Sequence, residues 1–206
     1  MKNFRSLLLA ALSGLMLISV HTKADDTLEK IQKITLKPEI LCGQFNQQKT
    51  LVGLKSALNS NGRFCVHREK GIVWRTLKPF PNILRVTENE ITQWQGDKVT
   101  MRMDAKREPV IQMINNVLFS LMAGDFSQLE KIFQINAKIR ANEWQVDLKV
   151  RDSGLRHAIE EISLNGGAYV RNISIHEANG DKTQIVFSDI QTDNATKDLD
   201  EISFYE

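Results

Sequence analysis

The sequence is poor in the residues that build reactive sites: its 206 residues hold two cysteines, four histidines and four prolines. Once a removable N-terminal segment is set aside, only His67, His157 and His176 remain, far apart in the chain. There is no His-Glu-x-x-His, no Gly-x-Ser-x-Gly, no Walker loop and no Gly-x-Gly-x-x-Gly. Two cysteines are too few for a dedicated zinc site when both have another use. These lacks argue against an enzyme and call for no cofactor and no metal, although a triad assembled from distant residues leaves no local signature. An excess of one charge is also missing, with 27 Lys plus Arg against 25 Asp plus Glu and a net charge of +2. A nucleic-acid-binding protein normally carries a basic footprint, so no nucleic acid partner is expected. A mean hydropathy of −0.28 excludes a multispanning membrane protein. Linkers rich in Pro, Gly or Ser, internal repeats and low-complexity tracts are absent as well. One domain, with a core its 42% hydrophobic content can supply, is the expected organisation.

What is present begins at the N-terminus. Lys2 and Arg5 precede Leu7 to Val20, where 11 of 14 residues are apolar, and Thr22-Lys23-Ala24 offers a small residue before Asp25. This pattern predicts a secretory signal peptide over residues 1–24 and a mature domain over 25–206. A membrane anchor is the competing reading, but a run of this length rises only about 21 Å as a helix, short of the roughly 30 Å hydrocarbon core. No cysteine follows the run, so the mature chain should not itself be lipidated. Removing Lys2, Arg5 and Lys23 without any acid turns the net charge of +2 into −1.

Export places Cys42 and Cys65 in an oxidising compartment, where a disulfide is expected over two buried thiols. Both lie in alternating segments. Pairing them antiparallel with positions summing to 107 sets Cys42 opposite Cys65, Phe45 opposite Gly62, Gly43 opposite Phe64 and Leu41 opposite Val66. The cysteines then share one face and the apolar residues the other, at a separation a disulfide accepts.

Residues 27–36 suit a short amphipathic helix ended by Pro38. Period-two segments follow at 41–52, 59–67, 71–77, 82–87, 90–95 and 98–103, most of them divided by turn residues. From Val110 to Met122 the spacing becomes helical, opened by Pro109 and closed by Gly124, with apolar residues around most of the circumference. Met113 and Phe119 lie outside its main stripe. Asp125 with Gln128 can cap a second short helix. Alternation resumes at Phe133 to Arg140, then at 146–151, 159–165, 168–176 and 183–190, and a last short strand fits 202–205. The fold class predicted is α+β, mainly β: a curved antiparallel sheet of about ten strands with a few helices. The apolar helix is either a lid over a hollow or a permanent plug, and periodicity by itself favours the plug.

The stretch Leu41-Cys42-Gly43-Gln44-Phe45-Asn46-Gln47-Gln48-Lys49, then Ser60-Asn61-Gly62-Arg63-Phe64, Gly71-Ile72-Val73-Trp74 and Pro79, resembles the outer-membrane lipoprotein carrier family LolA, in a divergent branch. The likeness covers residues 28–95 by motif and continues by element order. It implies an unclosed β-barrel with a helical lid over an apolar cavity, and a cargo of acyl chains from a lipoprotein or another lipid. It further implies residence in the periplasm, an inner-membrane transporter that delivers the cargo, an outer-membrane receptor that takes it, and a monomeric carrier. Lining candidates are Phe64, Val66, Trp74, Leu84, Val86, Trp94, Met101 and Met103 from the sheet, and Val110, Ile114, Leu118 and Met122 from the helix. Each of them serves equally well as ordinary core. Matching to the family places Arg68 at a basic position that influences cargo retention. If the strand runs that far, Arg68 shares the face of Phe64 and Val66; otherwise it is a solvated turn arginine beside Glu69 and Lys70.

Overall fold

A computed structural model describes residues 23–104, 119–120 and 129–192. The first element, α1 (Lys23–Ile34), is amphipathic, and its Leu28 and Ile31 are buried. On its exposed side Asp26 meets Lys30 at 3.6 Å and Glu29 meets Lys33 at 4.0 Å, contacts one helical turn apart that add only tenths of a kcal/mol, roughly 0.3–0.5 each. The hydroxyl of Thr35 donates to the Ile31 carbonyl at 2.9 Å, and Pro38 stops the chain from continuing as helix. The helix thus begins before the predicted 27, inside the segment read as a leader. The remainder of that segment lies outside the described residues.

Among the described residues eleven strands follow, all antiparallel to their neighbours. They are β1 (Ile40–Thr50), β2 (Leu58–His67), β3 (Gly71–Lys78), β4 (Asn82–Val86), β5 (Glu90–Gln95) and β6 (Lys98–Asp104), then β7 (Phe133–Arg140), β8 (Glu143–Val150), β9 (Ile159–Gly166), β10 (Val170–Glu177) and β11 (Lys182–Thr192). They make one sheet in the order β6-β5-β4-β3-β2-β1-β11-β10-β9-β8-β7. Two meanders are therefore sewn together by a single long-range pairing, β1 with β11, and the sheet ends at β6 and β7 without closing. The fold is an unclosed barrel with a helix, as the resemblance implied. The strands read from the alternation between 41 and 190 are all found, with boundaries that coincide or shift by up to three residues. The helix expected over 110–122 and the strand expected at 202–205 lie outside the described residues, except that 119–120 are helical. The start of the second short helix, Asp125 to Gln128, also lies outside the described residues, and a 3-10 turn follows at Leu129–Lys131.

The β1–β2 register is the one derived from the cysteines: Leu41 opposite Val66, Cys42 opposite Cys65, Gly43 opposite Phe64 and Phe45 opposite Gly62. The disulfide is formed, with its Cα atoms 4.1 Å apart. Cys42 and Cys65 belong to a small apolar cluster with Val73, flanked by Ile40 and Ile83, on the face opposite the main core. That main core runs along the other face of the whole sheet, from Ile91 and Val86 through Phe64, Phe45 and Phe187 to Leu164, Val146 and Phe133. Helix α1 covers it beside β7.

The β1–β2 turn is tied down at its tip. The Val52 N–H donates to the Asp181 carboxylate at 2.8 Å, and the Asn179 side-chain amide donates to the same carboxylate at 2.9 Å. The Val52 hydrogen bond, then the Asn179 amide and the Lys49 ammonium, hold the Asp181 carboxyl below its ordinary pKa against the opposing effect of desolvation. Lys49 itself is paired with Glu177 at 2.7 Å.

Candidate functional site

The inner face of β1–β6 is built in rows across the strands. One row runs Leu41, Val66, Ile72, Val86, Ile91 and Met103; the next runs Phe64, Trp74, Leu84, Gln93 and Met101. Alternation puts these residues on one side because each strand turns every second side chain the same way. At the centre of the sheet the rings of Phe45 and Trp74 stack with centroids 3.8 Å apart, and Phe187 stands 4.8 Å from Phe64. Two glycines make this packing fit. A Cβ at Gly62 would lie 1.9 Å from the Arg75 carbonyl oxygen and 2.9 Å from the Phe45 ring, and one at Gly43 would lie 2.7 Å from the Ser188 carbonyl oxygen.

Of the predicted lining residues, Phe64, Val66 and Val86 are buried on this face, while Trp74, Leu84, Met101 and Met103 on the same face are only partly buried. Val110, Ile114, Leu118 and Met122 lie outside the described residues. Their neighbour Phe119 is partly buried against the core, although its spacing put it off the main stripe.

Two expectations are corrected. Trp94 does not join Phe64 and Met101. It pairs with Ile83 and so shares the parity of Thr92, on the disulfide side of the sheet, where the Arg85 guanidinium sits 5.1 Å from the centre of its ring. The inner positions of β5 belong to Ile91 and Gln93 instead. Arg68 does not face the hollow either, because β2 ends at His67. Arg68 stands exposed in the β2–β3 turn; its backbone N–H donates to the Glu39 carbonyl at 3.0 Å and its guanidinium to the Lys37 carbonyl. It binds that turn to the connector between α1 and β1.

The lining candidates from sequence stop at β6, but the same face continues through the second meander. Phe187 pairs with Phe45, Ile185 with Ile173, Ile173 with Leu164, Leu164 with Val146, and Val146 with Ala137. The strict alternation of β7 and β8 carried that signal. Burial divides the face: β8 and β9 are sealed, whereas Leu84, Met101 and Met103 near one edge and Ile135, Ala137 and Ile139 at the other are partly buried. The outer face of β8–β10 is polar, with the Ser163 hydroxyl donating to Asp147 at 2.8 Å and the Asn172 amide to Asn165 at 2.6 Å. An open groove of about 770 Å³ on that side is lined by Lys138, Arg140, Gln145, Asn165 and Arg171 together with Ile139 and Trp144, a mixed surface in which charged and amide side chains outnumber apolar ones. His67, His157 and His176 sit on separate elements, and among the described residues no three His, Cys, Asp or Glu side chains gather as metal ligands.

An open antiparallel sheet with an apolar inner face and a helix beside it is the fold these residues define. The family model described as outer membrane lipoprotein carrier protein LolA matches residues 36–201, and the chain belongs to that family. No curated protein sequence matches it. Among solved structures it is similar to a LolA superfamily protein from Nitrosomonas europaea, at 8% identity and a TM-score of 0.43 over 83% of this chain and 94% of that one. A DUF1329 family protein from Desulfovibrio piger gives 8% identity and a TM-score of 0.46 over 85% and 94%. The MucA/MucB complex of Pseudomonas aeruginosa gives 12% identity and 0.46 over 82% of this chain and 57% of that one.

Proposed function

We propose that this protein is a non-enzymatic periplasmic carrier that holds the acyl chains of a lipoprotein or another lipid against its inner face and takes them from the inner to the outer membrane. The observation that carries this reading is the inner face itself, which has apolar residues on every strand and is only partly buried at Leu84, Met101 and Met103. Each methylene removed from water is stabilised by about 0.8 kcal/mol, so an acyl chain does not cross an aqueous compartment unshielded. A carrier also has to let go, which favours adaptable methionines and a repackable cover over a tight core. Export by residues 1–24 belongs to this reading through the basic and apolar N-terminal pattern, and delivery by an inner-membrane transporter and receipt by an outer-membrane receptor belong to it through the family. Arg68 acts in it by fixing the β2–β3 turn, and Trp94 acts on the opposite side of the sheet.

The stacked Phe45 and Trp74 rings favour a second reading, a binding or assembly protein whose hollow is filled by its own side chains. Displacement of an environment-sensitive hydrophobic dye by a palmitoylated peptide separates the two. A carrier takes up the dye, and Ile114→Asp or Leu118→Asp abolishes uptake before it unfolds the sheet. No uptake by the parent protein supports the filled core.

A further inference from the structure

Eight large apolar side chains stand exposed among the described residues, and six of them gather at one end of the sheet. In an antiparallel meander alternate turns leave by the same end, so the β1–β2, β3–β4 and β5–β6 turns share it. Val52 and Leu54 lie in the first turn with Leu58 beside it, Phe80 in the second with Leu77 before it, and Val99 follows the third. Phe80 is 74% exposed and Val52 69%. Lys55, Lys78 and Lys98 are exposed among them, and Asp97 is the one acid of these three turns. The turns at the opposite end, 68–70, 87–89, 141–142 and 167–169, expose no large apolar residue.

Nor is the exposed tip slack. The Val52 backbone N–H is tethered by its 2.8 Å hydrogen bond to the Asp181 carboxylate, and Gly180 leaves the side chain room, since a Cβ there would come within 3.0 Å of Val52 Cγ2. Apolar tips that alternate with lysines suit the boundary of a bilayer, where rings and aliphatic side chains enter below the headgroups and ammonium groups meet phosphate. Lysine is depleted in protein–protein interfaces, so the same mixture fits a protein partner poorly.

We propose that these three hairpin tips form a rim that docks on an anionic phospholipid surface, with Phe80, Val52 and Leu54 entering the interface and Lys55, Lys78 and Lys98 binding headgroup phosphates. The proposal concerns where the protein meets a membrane and stands whatever the hollow carries.

The test uses the full chain with vesicles of phosphatidylethanolamine and phosphatidylglycerol, and vesicles of phosphatidylcholine for comparison. A tryptophan placed by Phe80→Trp is expected to be quenched by brominated acyl chains in the anionic vesicles. Val52→Ser/Leu54→Ser/Phe80→Ser and Lys55→Gln/Lys78→Gln/Lys98→Gln should each lower partitioning on the order of a hundredfold, with thermal unfolding unchanged. The lysine variant should also lose the preference for anionic vesicles. No quenching at position 80 in vesicle-bound protein means that another segment holds the membrane and overturns the proposal. So does parent-like partitioning of both triple variants, or no vesicle binding at all. Dye uptake by the hollow is measured alongside: its loss in the parent would sink the carrier reading and leave the rim untouched.

Discussion

On β8 and β9 the inner side chains Val146, Leu148 and Leu164 are sealed from water, whereas on β3, β4 and β6 the residues in equivalent positions, Trp74, Leu84, Met101 and Met103, remain partly buried. The outer faces differ in the opposite sense. Behind β8–β10 lie amides, hydroxyls and carboxylates, while behind β1–β5 lie the disulfide, Val73 and the Arg85, Trp94 and Glu90 group, with Arg85 and Glu90 3.2 Å apart. One meander is a platform stabilised by its inner face. The other carries a secondary brace on its outer side, and its inner face is only partly buried at Trp74, Leu84, Met101 and Met103. In proteins that bind hydrocarbon the same kind of side chain serves both purposes, and depth of burial decides which.

This contrast can be broken at several points. Leu148→Ala should cost about 2–5 kcal/mol in urea unfolding, as a cavity in a sealed core does, and Met103→Ala about 1 kcal/mol; equal losses would erase the distinction between the halves. Replacing both cysteines, Cys42→Ser with Cys65→Ser, should remove about 2–4 kcal/mol, and an unchanged unfolding midpoint would show that the bridge is no brace. Leu84→Asp should weaken dye binding at least about tenfold while the sheet still unfolds cooperatively, because it sets a charge on partly buried apolar surface. Trp94→Ala should leave dye binding untouched and cost about 1 kcal/mol through the lost contact with Arg85; weakened binding would return Trp94 to the hollow.

The smallest effect concerns pH. The folded-state pKa of Asp181 is depressed, so its stabilisation is present above the ordinary value of 3.8 and is lost as pH falls through the lower folded value. Asp181→Asn should therefore flatten the dependence of stability on pH in that acid window, and a parent-like slope would mean that the tip tether contributes nothing.

Strands, their order of occurrence and the β1–β2 register were legible in the sequence for one reason: alternation fixes faces, and two cysteines that must meet fix the register between them. Faces fail to be legible where a strand has apolar residues on both parities. In β5 Ile91 and Trp94 differ in parity, and only pairing with β4, together with the register shift after Gln93, shows which of them points inward. Arg68 turned on where β2 stops, and strand ends depend on partners that local pattern does not contain. The sealed part of the face was readable as alternation in β7–β9, but the join that makes it continuous with β1, the pairing with β11, spans most of the chain. The exposed rim was not legible, because exposure of Val52 or Phe80 is a property of the assembled sheet.

Native mass spectrometry of the protein purified from the cell that makes it, followed by lipid extraction, tests the carrier most directly. Carriage predicts a population heavier than the polypeptide by the mass of an acylated molecule, reduced in Leu84→Asp and Met103→Asp. A protein that is uniformly empty and also refuses hydrophobic dye would contradict it.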